Sequence, residues 1–156
     1  MILQRGVIFS LLSVASIGSA FASDTTDIMS IVQQTVDASN KNDVKALLSD
    51  FASSLTVVED TPPYLFQGKT EEVLANEDKA LSADSRSQGI TDFSIKLSAA
   101  KFVSVSGTNA YAVIPGVYSF HKHDQLLKQS AVVTVLLRKA KGRWLINTWI
   151  WSRVSG

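Results

Sequence analysis

The sequence predicts an α+β domain: three N-terminal helices packed on one side of a curved, mostly antiparallel sheet. Three observations carry that prediction. Apolar residues recur at helical spacing up to about Leu81. From Phe93 onward they alternate at a period of two, the repeat of a strand with two distinct faces. Polar and glycine-containing turns separate the later segments. Helices that come first, followed by a run of antiparallel strands, gather on one face of the sheet.

The chain opens on an address. Arg5 is the only charge before Asp24, Gly6 to Ala15 is an apolar run, and Ala20-Phe21-Ala22 is a small-x-small cleavage motif. That is the order of a secretory leader, too short and too weakly flanked for a stop-transfer helix. Residues 1–22 are expected to be removed, and no Cys follows the motif to take a lipid. The exported chain, periplasmic or secreted, then runs from Ser23 to Gly156 as one domain with no membrane segment. A retained anchor is the alternative.

Loss of Arg5 leaves fourteen Lys and Arg against fourteen Asp and Glu. The mature domain is formally neutral and offers no basic footprint for nucleic acid. Arg138, Lys139, Lys141 and Arg143 cluster, but they flank a predicted turn and read as a solvated hairpin tip. The absence of Cys excludes a disulfide and a thiolate site.

The first helix is expected after Asp24-Thr25-Thr26-Asp27, which offers caps and first-turn acids. Ile28, Ile31, Val32, Thr35, Val36 and Ser39 form its apolar stripe. Asn40-Lys41-Asn42 breaks it, and Asp43 caps a second helix that buries Val44, Leu47, Leu48, Phe51 and Leu55. Leu55 to Glu59 is a short β-branched strand, ended by Asp60-Thr61-Pro62-Pro63 because proline cannot donate to a ladder. Tyr64-Leu65-Phe66 reads as an apolar insertion in a loop. Gly68 and Thr70 start a third helix with Val73, Leu74, Ala80 and Leu81 facing inward, closed by the polar segment 84–89. Four strands follow. The first alternates Phe93, Ile95 and Leu97 and, after an irregularity expected at Ala99-Ala100, continues through Phe102, Val103 and Val105. The next runs from Ala110 to His121 with a bend at Pro115-Gly116, and the third from Leu126 to Lys139.

The last strand follows the turn at Lys141-Gly142 and carries all three tryptophans. Strict alternation puts Trp144, Ile146, Thr148 and Ile150 on one face and Leu145, Asn147, Trp149 and Trp151 on the other. Both faces are largely apolar, so the strand is expected to be central. Helices can cover one face. A second copy of the chain is expected to cover the other, making a homodimer.

Four strings resemble one family in order and spacing: Asn42-Asp43-Val44-Lys45-Ala46-Leu47 before the second helix, Thr56-Val57-Val58-Glu59-Asp60 in the first strand, Gly68-Lys69-Thr70 opening the third helix, and Gly142-Arg143-Trp144 through Trp151-Ser152 at the end. Together they resemble the nuclear transport factor 2-like (NTF2-like) superfamily, its SnoaL-like and ketosteroid-isomerase-like branch, across nearly all of the mature chain. The resemblance implies a cystatin-like cone with an apolar pocket between sheet and helices, and dimerisation through the outer sheet face. It does not fix an activity, because this fold carries many.

The resemblance places Asp60 where isomerase-like relatives keep a general base. Desolvation in an apolar pocket would raise its pKa toward the working range, with no basic residue in its own string to oppose that. The other role open to Asp60 is a turn cap before Pro62-Pro63. The resemblance sets Thr35 and Thr134 where the isomerases place a Tyr and a protonated Asp as donors to the enolate oxygen. Both are weaker acids, a departure that argues against steroid isomerisation itself. Trp151 matches a pocket-wall tryptophan, Trp149 is expected on its face, and Tyr64 and Phe66 are expected at the pocket mouth. Ordinary core packing is the alternative for each aromatic.

His121, His123 and Asp124 have metal-binding chemistry, but no third strong ligand stands at a defined spacing, so a solvated turn is expected and neither a metal nor a cofactor. The expected function is therefore binding of a small hydrophobic molecule in an apolar pocket, with acid–base chemistry of isomerase or cyclase type open to it. The alternative is a non-catalytic dimeric module for protein interaction or assembly.

Overall fold

The computed structural model describes the backbone of residues 17–154 and the side chains of residues 23–154. The apolar run of the expected leader, residues 6–15, lies outside the described residues. Three helices and seven strands follow in the order α1 (Ile17–Asn40), α2 (Val44–Asp50), β1 (Phe51–Val58), β2 (Leu65–Lys69), α3 (Thr70–Gln88), β3 (Ile90–Leu97), β4 (Phe102–Ser106), β5 (Asn109–Lys122), β6 (Gln125–Ala140) and β7 (Arg143–Arg153). Among the described residues, no helix is long and apolar enough to cross a membrane.

The helices start and stop where local chemistry directs. The Asp43 side chain accepts a hydrogen bond from the Ala46 N–H at 3.0 Å and opens α2. That helix is shorter than the apolar stripe suggested: Phe51 leaves it and begins β1. At the far end of α3, Gly89 takes φ +65°, the left-handed conformation in which a glycine ends a helix without a Cβ clash. The Asn40 amide ties the end of α1 to β3, donating to the Ile95 carbonyl and accepting its N–H, each at 2.8 Å.

The sheet runs β2-β1-β7-β6-β5-β3, with β4 also paired to β5. It is mixed: β1 and β7 are parallel and every other pair is antiparallel. Three features depart from the sequence reading. Leu65 and Phe66 belong to an edge strand, with Phe66 beside Val57, so the expected loop insertion is mostly β2. The segment from Phe93 to Val105 is two strands, because β5 pairs with β4 up to Val113 and with β3 from Gly116 on. The crossover sits at Pro115-Gly116, where a Cβ on Gly116 would come within 3.1 Å of the Lys96 carbonyl oxygen.

The third departure is in β7. Leu137 pairs with Ile146, but Leu136 pairs with Thr148. One extra residue, Asn147, is therefore bulged into β7, and alternation reverses across it. Trp144, Ile146 and Trp149 all point to the same buried face, contrary to the strict alternation expected. They pack with Leu55 and Val57 of β1, Val133, Val135 and Leu137 of β6, and Ile28, Val32 and Val36 of α1. All of these aliphatic residues, and Trp144, are at most 2% exposed, so this layer is the core.

Candidate functional site: a carboxyl pair at the end of the first strand

Leu55 and Val57 point into the core from β1. The next residue of that parity is Glu59, just past the strand, whose N–H donates to the Tyr64 carbonyl at 2.9 Å. On α3, Val73 faces the same core, and Glu77 lies one turn further along the same stripe. The two glutamates meet and hydrogen-bond through their side chains. Burial pushes both pKa values up, Glu59 to about 8 and Glu77 to about 7, and for Glu59 the neighbouring charges of Glu77 and Asp60 add to it. Two desolvated carboxyls this close hold one proton between them near neutral pH.

Aromatic rings cluster on Tyr118, which feels the charge of Glu59. Tyr118 on β5 lies 5.8 Å, edge to face, from Trp151 on β7, 5.0 Å from Phe120 and 6.2 Å from Phe93. Burial raises the Tyr118 phenol pKa, with Glu59 and Asp60 adding to the rise, so it remains a neutral hydroxyl donor. Arg153, the last residue of β7, forms a close ion pair with Asp60 from its Nε and also approaches the Asp60 carbonyl at 3.5 Å.

That pairing gives Asp60 a counter-charge. No base in its own string opposes its charge, but one from the other end of the chain does. Asp60 stands one residue off the parity of Leu55 and Val57, which Glu59 continues. Thr134 pairs with Ile150 and Val113, whereas the buried residues Val133 and Val135 flank it. Alternation therefore puts Thr134 on the outer face of the sheet, away from the carboxyl pair. Thr35 is buried but belongs elsewhere: its hydroxyl donates to the Ile31 carbonyl at 2.9 Å and lies 3.4 Å from Asp50. Tyr64 is 57% exposed and Phe66 is core. Trp149 is core as well, whereas Trp151 is half-buried and its ring lies against Tyr118.

Asp50 forms a second buried acid at the start of β1. It is 4% exposed, and burial raises its pKa against the opposing hydroxyls of Ser49 and Thr35 and the charge of Arg143. An open groove of about 550 Å³ lies between β2 and α3, lined by Leu65, Phe66, Val73 and Ala80 among others. Of the expected pocket residues it contains Phe66 alone. At the β5–β6 turn, His121 Nδ1 is 3.8 Å from Asp92, and the His123 ring packs on Gly89. Among the described residues, no group of three or more His, Asp and Glu could hold a metal ion.

Glu59 and Glu77 were both within reach of pattern reading. Glu59 continues the two-residue repeat of Leu55 and Val57, and Glu77 continues the stripe of Val73. Arg153 carried no such signal, since its partner lies 93 residues away.

No protein-family model and no curated protein matches the sequence. Solved structures do match. An NTF2-like protein with a cystatin-like fold from Novosphingobium aromaticivorans superposes with a TM-score of 0.71 at 14% identity, over 89% of this chain and 87% of that one. The protein has the NTF2-like fold. A nuclear transport factor 2-like superfamily protein from Salmonella enterica gives a TM-score of 0.70 at 15% identity, over 87% and 94% of the two chains. A ketosteroid isomerase-like protein from Erwinia carotovora atroseptica gives 0.64 at 17% identity, over 84% and 96%. At such identities the NTF2-like fold is what the chains share.

Proposed function

We propose that this NTF2-like domain binds a small, largely apolar molecule beside Tyr118 and Trp151 and moves a proton with the Glu59–Glu77 pair. One feature carries the reading: two carboxyls that meet at the end of β1, largely withdrawn from water, with burial raising the pKa of each. A pair titrating near neutrality can give and take a proton at working pH, which is what general acid–base catalysis requires. Tyr118 supplies a neutral donor for an oxygen that gains charge. The fold is also that of a ketosteroid isomerase-like protein, in keeping with such chemistry.

The test is a carbon NMR titration of the glutamate carboxyls in the wild type, Glu59→Gln and Glu77→Gln. The wild type is expected to show two coupled steps near neutrality, and each variant a single step, still raised by burial of the remaining carboxyl. In parallel, solvent deuterium uptake next to the carbonyl of a cyclic ketone should fall by about 10²-fold or more in either variant. Ordinary titration of both glutamates in the wild type overturns the reading.

A second reading concerns assembly. The outer sheet face carries Phe102, Tyr111 and Leu136, which are 54%, 40% and 38% exposed, with Thr134 and Ile150 beside them. Apolar groups gathered on one face mark an interface, and a second copy is the proposed partner. Light scattering should give a dimer that Leu136→Glu dissociates; a wild-type monomer at micromolar concentration overturns this. Export is proposed on the leader residues alone, and an intact mass beginning at Ser23 is the check.

A further inference from the structure

We propose a second ligand site, for a neutral polyhydroxylated ring of the monosaccharide class, in the corner where α1 ends against β3. A cavity of about 300 Å³ opens there, lined by Ser39 and Asn40 from the end of α1, Asn42 from the turn into α2, and Asp92 and Phe93 from β3. That volume stands at the small end of ligand sites and has room for one ring rather than a chain. The proposal does not depend on the Glu59–Glu77 pair.

The backbone is bent to build this corner. Thr91 pairs with His121 and Ser94 with Ser119, so β3 carries one residue more than β5 over that stretch. Successive residues of a regular strand point to opposite faces. The bulge lets Asp92 and Phe93, neighbours in sequence, line the same cavity. Asp92 takes φ +52° and Asn42 φ +54°, left-handed conformations that residues other than glycine seldom adopt. Both lips of the cavity thus leave the regular path at a cost to the backbone, as ligand-binding segments do. Asn40 makes the wall rigid. Its amide donates to the Ile95 carbonyl and accepts the Ile95 N–H, each at 2.8 Å, which ties α1 to β3 across the corner.

The lining selects the ligand. One hydroxyl and two amides can each give and accept hydrogen bonds, and the Asp92 carboxylate accepts them. Among the described residues, the Ser39 hydroxyl and the Asn42 amide have no hydrogen-bond partner. Sugar hydroxyls both give and accept, so they match this mixture. Phe93, 44% exposed, adds a ring whose electron-rich face suits the C–H groups of a sugar. Among the described residues no Lys or Arg lines the cavity, so an anion finds no counter-charge there. An apolar molecule would strip water from the polar groups and put nothing in its place.

Amide NMR titrations with the methyl glycosides of glucose, galactose and mannose test this, with cyclohexanol and glucuronate as ring-shaped controls. At least one glycoside is expected to bind with a Kd of about 1–10 mM, about tenfold or more tighter than either control. The shifted amides should be those of residues 39–42 and 91–94. Asp92→Gly and Asn42→Gly keep the positive φ of each position while deleting its side chain, so they spare the fold. Each should weaken binding about tenfold. Glycine variants that bind as well as the wild type, controls that bind as tightly as the glycosides, or shifts centred elsewhere overturn the site. So does the lack of any shift at about 100 mM glycoside.

Discussion

The two ends of β1 pose the same electrostatic problem and answer it differently. Asp50 stands just before the strand and Glu59 just after it. Burial raises both pKa values, and each lies near an arginine of the parallel strand β7, Arg143 at its start and Arg153 at its end. The difference is the next partner. Asp50 meets hydroxyls, Ser49 at 3.3 Å and Thr35 at 3.4 Å, in a nearly dry corner. Glu59 meets a second carboxyl and a half-open ring cluster. A hydroxyl satisfies a buried carboxyl without exchanging charge with it, whereas a carboxyl shares its proton. Burial alone therefore makes a structural acid, and the partner makes a chemical one.

The largest effect that could break this contrast is on stability against pH. A carboxyl whose folded pKa lies above its unfolded value binds its proton more tightly in the folded protein. Its contribution is full at low pH and is lost as pH rises through the folded value. For the Glu59–Glu77 pair that window runs from the ordinary value of 4.5 to about 8. Urea unfolding should show a loss on the order of 5 kcal/mol across it, and Glu77→Gln should reduce the slope without abolishing it, since Glu59 stays buried. A wild-type profile flat between those limits would mean the pair is not desolvated in solution.

A smaller effect sharpens the other end. Thr35→Val removes a hydroxyl near Asp50 and should cost ~1 kcal/mol. The glutamate titration should not move, since the two acids occupy opposite ends of β1. A shift in that titration would show that the two ends communicate.

The smallest effect tests the boundary between Glu59 and its neighbour. Asp60→Asn breaks a part-exposed ion pair and should cost less than ~1 kcal/mol. It also removes a repulsion from Glu59 and frees Arg153, so the first step of the pair should move to lower pH. Movement to higher pH would mean that Arg153 leaves the site with its partner.

The helices and most strands were legible because their signals are local. Asp43, Gly89 and the Lys141-Gly142 turn each act within a few residues. The outer-face position of Thr134 was also legible, since simple alternation with Val133 and Val135 decides it. Phe66 was hidden for a physical reason: prolines on one side and a glycine on the other leave a strand of five residues that looks like a loop. The proposed site stands one residue from the expected one. Asp60 drew the eye through its place at the strand end, while Glu59 carried the parity. The Asp60–Arg153 pair could not be read at all, since only the parallel pairing of β1 with β7 brings the two together.

The bulge at Asn147 has a consequence for comparing this chain with others. A strand is written in twos, as a gene is written in threes, and one added letter shifts the frame of everything after it. Identity at each position matters less here than the count of positions. An alignment that sets β7 against an unbulged relative without a gap assigns Trp149 and Trp151 to the wrong surface, although every residue in it is correctly named. Insertions and deletions of one residue in this strand therefore carry meaning that substitution tables cannot express.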